Sequence, residues 1–169
     1  MSDAELPEDL SLNLKRAQVL RYGENPHQQG ALYLDPQDSR PGVARARLVQ
    51  GKELSYNNLQ DADAAFECVA EFQEPAVVIV KHMNPCGAAI AENVHEAYLR
   101  ALACDPVSAF GGIVALNGPL TQALATELVK IFLEVVVAPE AEDEALKILS
   151  AKPNVRVLLT GGMSNRKED

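Results

Sequence analysis

Lys81 and His82 are the neighbouring residues whose types are best suited to chemistry in this sequence. They follow the apolar run at 77–80, so we expect them at the carboxyl end of a buried strand, where loops of an open α/β sheet surround a ligand crevice. A neighbouring ammonium favours the neutral imidazole, which can accept a proton. His82 is thus a candidate general base, and Lys81 a group that stabilises an oxyanion when a weak amine attacks a carbonyl. The alternative is structural: Lys81 ends a strand in solvent, and His82 bonds to loop backbone.

Two further segments carry groups that suit anions. Arg21 and Tyr22 precede Gly23 in a polar loop, where the arginine offers a fork of donors to a phosphate and the glycine allows close approach to the backbone. Gly111 and Gly112 stand at the entry to a predicted strand, where exposed backbone N–H groups could cradle an anion. Taken alone, the Arg21-Tyr22-Gly23 segment is a weak signal. The Gly111–Gly112 pair has a structural alternative, because an isolated Gly-Gly often only forms a tight turn.

Cys86 invites comparison with zinc sites. Pro85-Cys86 is the first half of the Pro-Cys-x-x-Cys pattern of zinc deaminases, but the residue three beyond Cys86 is Ala89. No His-x-Glu precedes it, so the third ligand and the proton shuttle are missing as well. We therefore predict no metal site and no zinc, and we interpret Cys86 as a packed thiol.

Hydrophobic periodicity predicts the elements that hold these groups. Apolar residues recur at helical spacing in 59–69 and 94–104, and 76–80 is a continuous apolar run typical of a strand buried on both faces. Residues 84–87 (NPCG) are predicted to reverse the chain in a tight turn. Further strands are predicted at 31–34, 47–50, 114–116, 135–138 and 155–160, and further helices at 120–132 and 142–151. This alternation predicts an α/β layered fold with a central mixed, largely parallel sheet.

Composition excludes several classes of function. A chain of 169 residues with 47% hydrophobic residues fits one globular domain, and a net charge of −9 argues against binding nucleic acid. No apolar stretch approaches the roughly 20 residues that a membrane helix needs, and the acidic first residues do not resemble a signal or transit peptide. We predict a cytoplasmic protein that binds neither nucleic acid nor membrane, with residues 1–13 as a tail or linker remnant and 164–169 as a charged tail.

Four motifs, in this order, resemble one enzyme family. They are RYGENPHQ at 21–28, QGKELSYNN at 50–58, VKHMNPCG at 80–87 and DPVSAFGG at 105–112. The family is the AICAR transformylase part of the bifunctional purine biosynthesis enzyme, whose other part is IMP cyclohydrolase, and the resemblance runs from about residue 12 to residue 159. It implies formyl transfer from 10-formyltetrahydrofolate to the 5-amino group of AICAR, giving formyl-AICAR and tetrahydrofolate. It also implies a fold similar to that of cytidine deaminases, without their zinc.

The resemblance assigns roles to residues that match the family's motifs. His82 looks like the general base, and Lys81 looks like the stabiliser of the transition state. The residues that look like contacts to the AICAR nucleotide are Arg21, Tyr22, Gly111 and Glu134, the last as an acid that accepts hydrogen bonds from the base.

Residues 14–163 match only the first half of the family's transformylase domain. In the family much of the folate site lies in the other half, and the active site is assembled in a homodimer. Two hypotheses follow: a formyltransferase part that needs its other half, or a catalytically incomplete fragment that binds the nucleotide or serves assembly.

Overall fold

Eight strands and four helices build the structure, a computed structural model that describes residues 8–164. The predicted tails fall largely outside this range, at residues 1–7 and 165–169. The strands are β1 Lys15–Val19, β2 Ala31–Leu34, β3 Arg47–Gln50, β4 Ala76–Lys81, β5 Asn84–Ile90, β6 Gly112–Leu116, β7 Leu133–Ala138 and β8 Arg156–Leu159. The helices are α1 Tyr56–Ala70, α2 Val94–Cys104, α3 Gln122–Leu128 and α4 Asp143–Leu149, with a 3-10 turn at Val43–Arg45.

Six strands form one mixed sheet in the order β3-β8-β7-β6-β4-β5, and β1 pairs with β2 in a separate two-stranded ribbon. Only the pairs β6–β7 and β7–β8 are parallel, whereas β3–β8, β4–β6 and β4–β5 are antiparallel. The prediction of an α/β fold with a mixed central sheet is confirmed. The sheet is less parallel than predicted, because β5 was not foreseen and both neighbours of β4 run against it.

Helices cover both faces of this sheet. Alternate residues of β4 point to opposite sides, as in any strand: Val77 and Ile79 pack in the cluster that contains α2, α3 and α4, and Val78 and Val80 pack in the cluster that contains α1. The result is three layers, with the sheet in the middle. The predicted burial of residues 76–80 on both faces is confirmed, since each is at most 1% exposed.

The predicted turn at residues 84–87 is wrong, because Asn84–Ile90 forms strand β5. This strand lies at the edge of the sheet, where the missing N–H of Pro85 is tolerated. Gly87 is needed there because a Cβ at this position would overlap the carbonyl oxygen of Ala101 in α2. Strand β1 was also not predicted, and α3 ends at Leu128, short of residue 132. It ends there because the chain turns into β7.

No helix within residues 8–164 is long and apolar enough to cross a lipid bilayer.

Candidate active site

A cavity of about 740 Å³, called the main cavity below, lies where β4 ends and where α1, β6, β7 and β8 begin. Five of the six site residues predicted from the sequence line it: Tyr22, Lys81, His82, Gly111 and Glu134. The prediction that the site lies at the carboxyl ends of the strands is therefore correct only for β4. The cavity lies at the carboxyl end of β4 but at the amino end of the three strands beside it, because β4 is antiparallel to β6.

Arg21 is the exception. It lines a different cavity, along the β1–β2 ribbon, together with Arg16, Gln28 and Gln29. Tyr22, its neighbour in the chain, lines the main cavity. The two residues are thus not brought to one site, and the prediction that Arg21 contacts the same ligand stays a prediction.

His82 lies in a two-residue hairpin turn. Lys81 pairs with Asn84 across the β4–β5 hairpin, so His82 and Met83 are the central residues, with φ values of 51° and 63°. Positive φ at both central positions is typical of a type I′ turn, which favours Asn and Gly. The main cavity lies at the end of β4, so the consecutive residues Val80, Lys81 and His82 all line it.

The peptide between His82 and Met83 is held at both ends. The side-chain amide of Asn84 donates to the His82 carbonyl oxygen over 2.7 Å. The Met83 N–H donates to Oδ1 of Asp61, on helix α1, over 2.9 Å. Neither Asp61 nor Asn84 was singled out from the sequence, because only the hairpin geometry brings them to His82.

Lys81 reaches across the cavity to the loop before β6. Its Nζ donates to the carbonyl oxygen of Phe110 over 2.6 Å. An ammonium has three donors, so two N–H groups of Lys81 remain after this bond. Gly111, with a φ of 71°, lies close enough that a Cβ there would be 3.8 Å from Nζ. A side chain at position 111 would contact the lysine at an ordinary van der Waals distance, but it would strain the backbone.

The Gly111–Gly112 pair does not form an anion cradle. The Gly111 N–H donates to the carbonyl of Phe132 over 2.8 Å, and the Gly112 N–H donates to the carbonyl of Ala109 over 2.9 Å. Both donors are already used, so the alternative of a structural turn is the one observed. The turn presents two aromatic rings, Phe110 and Phe132, whose centroids are 5.4 Å apart. Phe110 is 59% exposed and Phe132 is 44% exposed.

Asp105 and Ser108 fix the start of the same loop. The Ser108 backbone N–H and hydroxyl donate to the Asp105 carboxylate over 2.9 and 2.6 Å. These bonds hold the pKa of the Asp105 carboxyl below its usual value. The ionised carboxylate of Asp105 thus holds the start of the loop that carries Gly111.

Glu134 is paired with Arg156, a residue that sequence reasoning missed. Nη1 of Arg156 lies 3.3 Å from Oε2 of Glu134. Nε of Arg156 also donates to the carbonyls of Lys52 and Glu53, over 3.2 and 3.3 Å. Arg156, the first residue of β8, therefore connects this strand to β7 and to the loop before α1. No local signal marks it, because only the parallel pairing of β7 with β8 places the two side chains together.

The first turn of α1 closes another side of the main cavity, with Ser55, Asn57 and Asn58. Ser55 is the N-cap, and it forms a capping box with Asn58. The amino end of a helix carries a partial positive charge, so α1 directs a field that favours anions towards the cavity.

Cys86 is partly buried against the core, as the interpretation of a packed thiol predicted. Its Sγ lies 3.6 Å from the carbonyl oxygen of Ile79. Burial raises the pKa of the Cys86 thiol, so the thiolate that a metal would need is disfavoured. Within residues 8–164 no cluster of three or more His, Cys, Asp or Glu side chains is arranged to hold a metal ion.

Comparison with known proteins gives a consistent family. The AICARFT/IMPCHase bienzyme family model matches residues 1–169. Proteins named bifunctional purine biosynthesis protein PurH are similar over most of this chain. The one from Caulobacter vibrioides is 59% identical over 149 residues, which is 86% of this chain and 28% of that protein. The Rhodospirillum rubrum protein is 59% identical, covering 93% of this chain and 30% of that protein. The Oceanobacillus iheyensis protein is 52% identical, covering 99% and 33%.

This chain thus spans about a third or less of the length of these curated relatives. Among solved structures, Acinetobacter baumannii RibD (form 1) aligns with 58% of this chain and 35% of its own, at 19% identity and a TM-score of 0.47. A likeness of that degree bears on neither fold nor function.

Proposed function

Because the chain belongs to the AICARFT/IMPCHase bienzyme family, as its four motifs predict, we propose that it acts in purine biosynthesis and carries part of a formyl-transfer site. The reaction proposed is transfer of the formyl group of 10-formyltetrahydrofolate to the 5-amino group of AICAR, giving formyl-AICAR and tetrahydrofolate. The observation that carries the proposal is the convergence of Lys81 and His82 with Tyr22, Gly111 and Glu134 on one cavity.

The nucleotide is proposed to bind along the floor of the main cavity. The Glu134 carboxylate can accept hydrogen bonds from the carboxamide or amine of AICAR, and Arg156 fixes that carboxylate from one side. Tyr22 offers a ring and a hydroxyl. The amino end of α1 attracts the phosphate through its partial positive charge.

His82 and Lys81 then divide the chemistry between them. The AICAR amine is conjugated to an electron-poor ring and is a weak nucleophile, so His82 takes a proton from it as the new C–N bond to the formyl carbon forms. The two N–H groups of Lys81 that remain beside the bond to Phe110 can stabilise the oxyanion that develops. The C–N bond to tetrahydrofolate breaks as the oxyanion collapses, and the folate nitrogen leaves with a proton.

The rest of the assignment rests on the family. Reduced folate is proposed as the second substrate, a homodimer as the assembly of the longer enzyme, and the cytoplasm as the location. The reaction needs no metal in this proposal, since a base and a cation suffice to activate the amine and the formyl group.

A second candidate is a fragment that binds nucleotide or serves assembly without turnover. His82, Met83 and Asn84 are all exposed in the described part of the chain. Formyl transfer benefits from a site that excludes water, which strengthens the interactions of Lys81 with charge. An exposed base favours this second candidate for the chain on its own.

Formyl transfer and AICAR binding together separate the two candidates. We would assay tetrahydrofolate release by the wild-type chain and by His82→Ala, and measure AICAR binding to both by calorimetry. His95→Ala, on α2 and away from the cavity, is the matched control. The first proposal expects turnover that falls by about 10²–10⁴ in His82→Ala and is unchanged in His95→Ala. AICAR binding without turnover would favour the second candidate, and absence of both would contradict the first candidate and the nucleotide-binding form of the second.

A further inference from the structure

The His82–Met83 turn is the most strained part of the described backbone. Within residues 8–164, His82 and Met83 are the non-glycine residues with positive φ, and they are consecutive. Such residues are uncommon, and they persist only where the surrounding structure fixes their conformation. Met83 is 53% exposed, so core packing of its side chain does not supply that restraint.

Hydrogen bonds to one peptide unit supply it. In a two-residue hairpin the ladder bonds run between the flanking residues, here Lys81 and Asn84, and the N–H of the second central residue has no ladder partner. Asp61 accepts this N–H, that of Met83. Asn84 binds the carbonyl at the other end of the same peptide, that of His82. The peptide cannot rotate without breaking both bonds.

Of the two residues that bind this peptide, Asp61 and Asn84, only Asp61 lies outside the β4–β5 hairpin. Asn84 is two residues from His82 and moves with the hairpin, whereas Asp61 belongs to α1. That helix is fixed to the sheet by Ala62, Ala65 and Phe66, all 0% exposed. The Asp61–Met83 bond therefore fixes the turn relative to the core and to the first turn of α1, which lines the same cavity.

We propose that Asp61 is a positioning residue for His82: it holds the His82–Met83 peptide in its left-handed conformation and thereby directs the imidazole into the main cavity. This inference rests on the proposed function in one respect, the role of His82 as base. Asp61 does not transfer a proton in this account. Asp61 also lines the main cavity, so KM for AICAR separates this role, which acts through the backbone, from a direct contact with the substrate.

The test compares three variants of the full chain. Asp61→Ala removes the acceptor. Asp61→Asn keeps an oxygen that can accept the Met83 N–H. Asp143→Ala, at an exposed position on α4 and outside the main cavity, is the matched control. The readouts are the hydrogen-exchange rate of the Met83 amide, the NMR position of the His82 imidazole, and kcat and KM for AICAR. Thermal unfolding shows whether each variant folds.

If Asp61 positions His82, the variants should differ in a specific way. In Asp61→Ala the Met83 amide exchanges faster, the His82 resonances move, and kcat falls by about tenfold to hundredfold, as expected for a misplaced group, with KM changed by less than about twofold. Asp61→Asn keeps most of the rate and of the protection, and Asp143→Ala matches the wild type. An Asp61→Ala variant with wild-type kcat, or with unchanged amide exchange and imidazole resonances, overturns the proposal. Equal losses in Asp61→Ala and Asp61→Asn that follow their melting temperatures also overturn it.

Failure of the proposed function looks different. If the wild-type chain shows no formyl transfer, that proposal is contradicted for this chain. The positioning role is then decided by the Met83 exchange rate and the His82 resonances alone: a change in Asp61→Ala supports it, and no change overturns it.

Discussion

Strand β4 and the turn that follows it are neighbours in the chain with opposite properties. Residues 76–80 are at most 1% exposed, and their side chains pack against helices on both faces of the sheet. His82 and Met83 are exposed, have positive φ, and are held by two hydrogen bonds to one peptide. The strand contributes stability, and the turn carries His82, the proposed base. A rigid strand thus supports a strained turn that would not keep its conformation alone.

The largest expected effect comes from removing the charge of Lys81, which lies between the buried strand and the turn. Lys81→Met keeps the aliphatic stem and removes the ammonium, so formyl transfer is expected to fall by about 10²–10³ in kcat/KM, as for loss of an oxyanion donor. The melting temperature should change little, because the described bond of Nζ is to an exposed carbonyl. Lys147→Met, on the surface of α4, is the control. A Lys81→Met variant within fivefold of the wild-type rate would contradict the role of Lys81.

The second prediction concerns the buried strand. Ile79→Ala leaves a cavity between the sheet and α2, and should lower the free energy of unfolding by about 2–5 kcal/mol. Ile90→Ala on β5 is the matched control. Ile90 is 42% exposed, so its truncation should cost only about 0.5 kcal/mol. Urea unfolding of both variants measures the difference. Similar losses at the two positions would show that β4 is not the core of the hairpin.

Gly87 tests the contact between the hairpin and α2. Gly87→Ala places a Cβ against the carbonyl oxygen of Ala101, and should destabilise the protein by about 1–3 kcal/mol through overpacking. Gly42→Ala is the control, because nothing lies within 4 Å of a Cβ there and its backbone is extended. If the two variants unfold at the same urea concentration, β5 does not approach α2 as closely as in the structure.

The smallest expected effect measures the strain in the turn. Met83→Gly should be more stable than Met83→Ala by about 1 kcal/mol, because glycine adopts positive φ without the clash of a Cβ. Denaturant unfolding of the two variants gives the difference directly. If Met83→Ala is as stable as Met83→Gly, the turn does not hold residue 83 at positive φ in solution.

Elements with strong periodicity could be predicted from the sequence. The range of α2 was predicted without error, and α1 and β4 were predicted within a few residues, because helical spacing and a continuous apolar run are local signals. The cavity residues Lys81, His82, Tyr22, Gly111 and Glu134 were also found, mainly through the family's motifs.

The hairpin could not be predicted, because the local sequence places the turn at the wrong residues. Asn84, Pro85 and Gly87 are turn-forming residues, yet they lie in an edge strand, and the turn consists of His82 and Met83. Tertiary restraints override propensity here: Asp61 fixes the turn, and the close approach of α2 requires a glycine in the strand. Arg156 was missed for a related reason, since its partner Glu134 is 22 residues away and meets it only through strand pairing.

An NMR titration of the labelled chain with AICAR tests whether the main cavity is the nucleotide site. If AICAR binds there, the amide resonances shift together and saturate with one dissociation constant at Tyr22, Lys81, His82, Gly111 and Glu134. Shifts confined to the cavity of Arg16 and Arg21 along the β1–β2 ribbon, or no shifts at millimolar AICAR, would contradict this assignment.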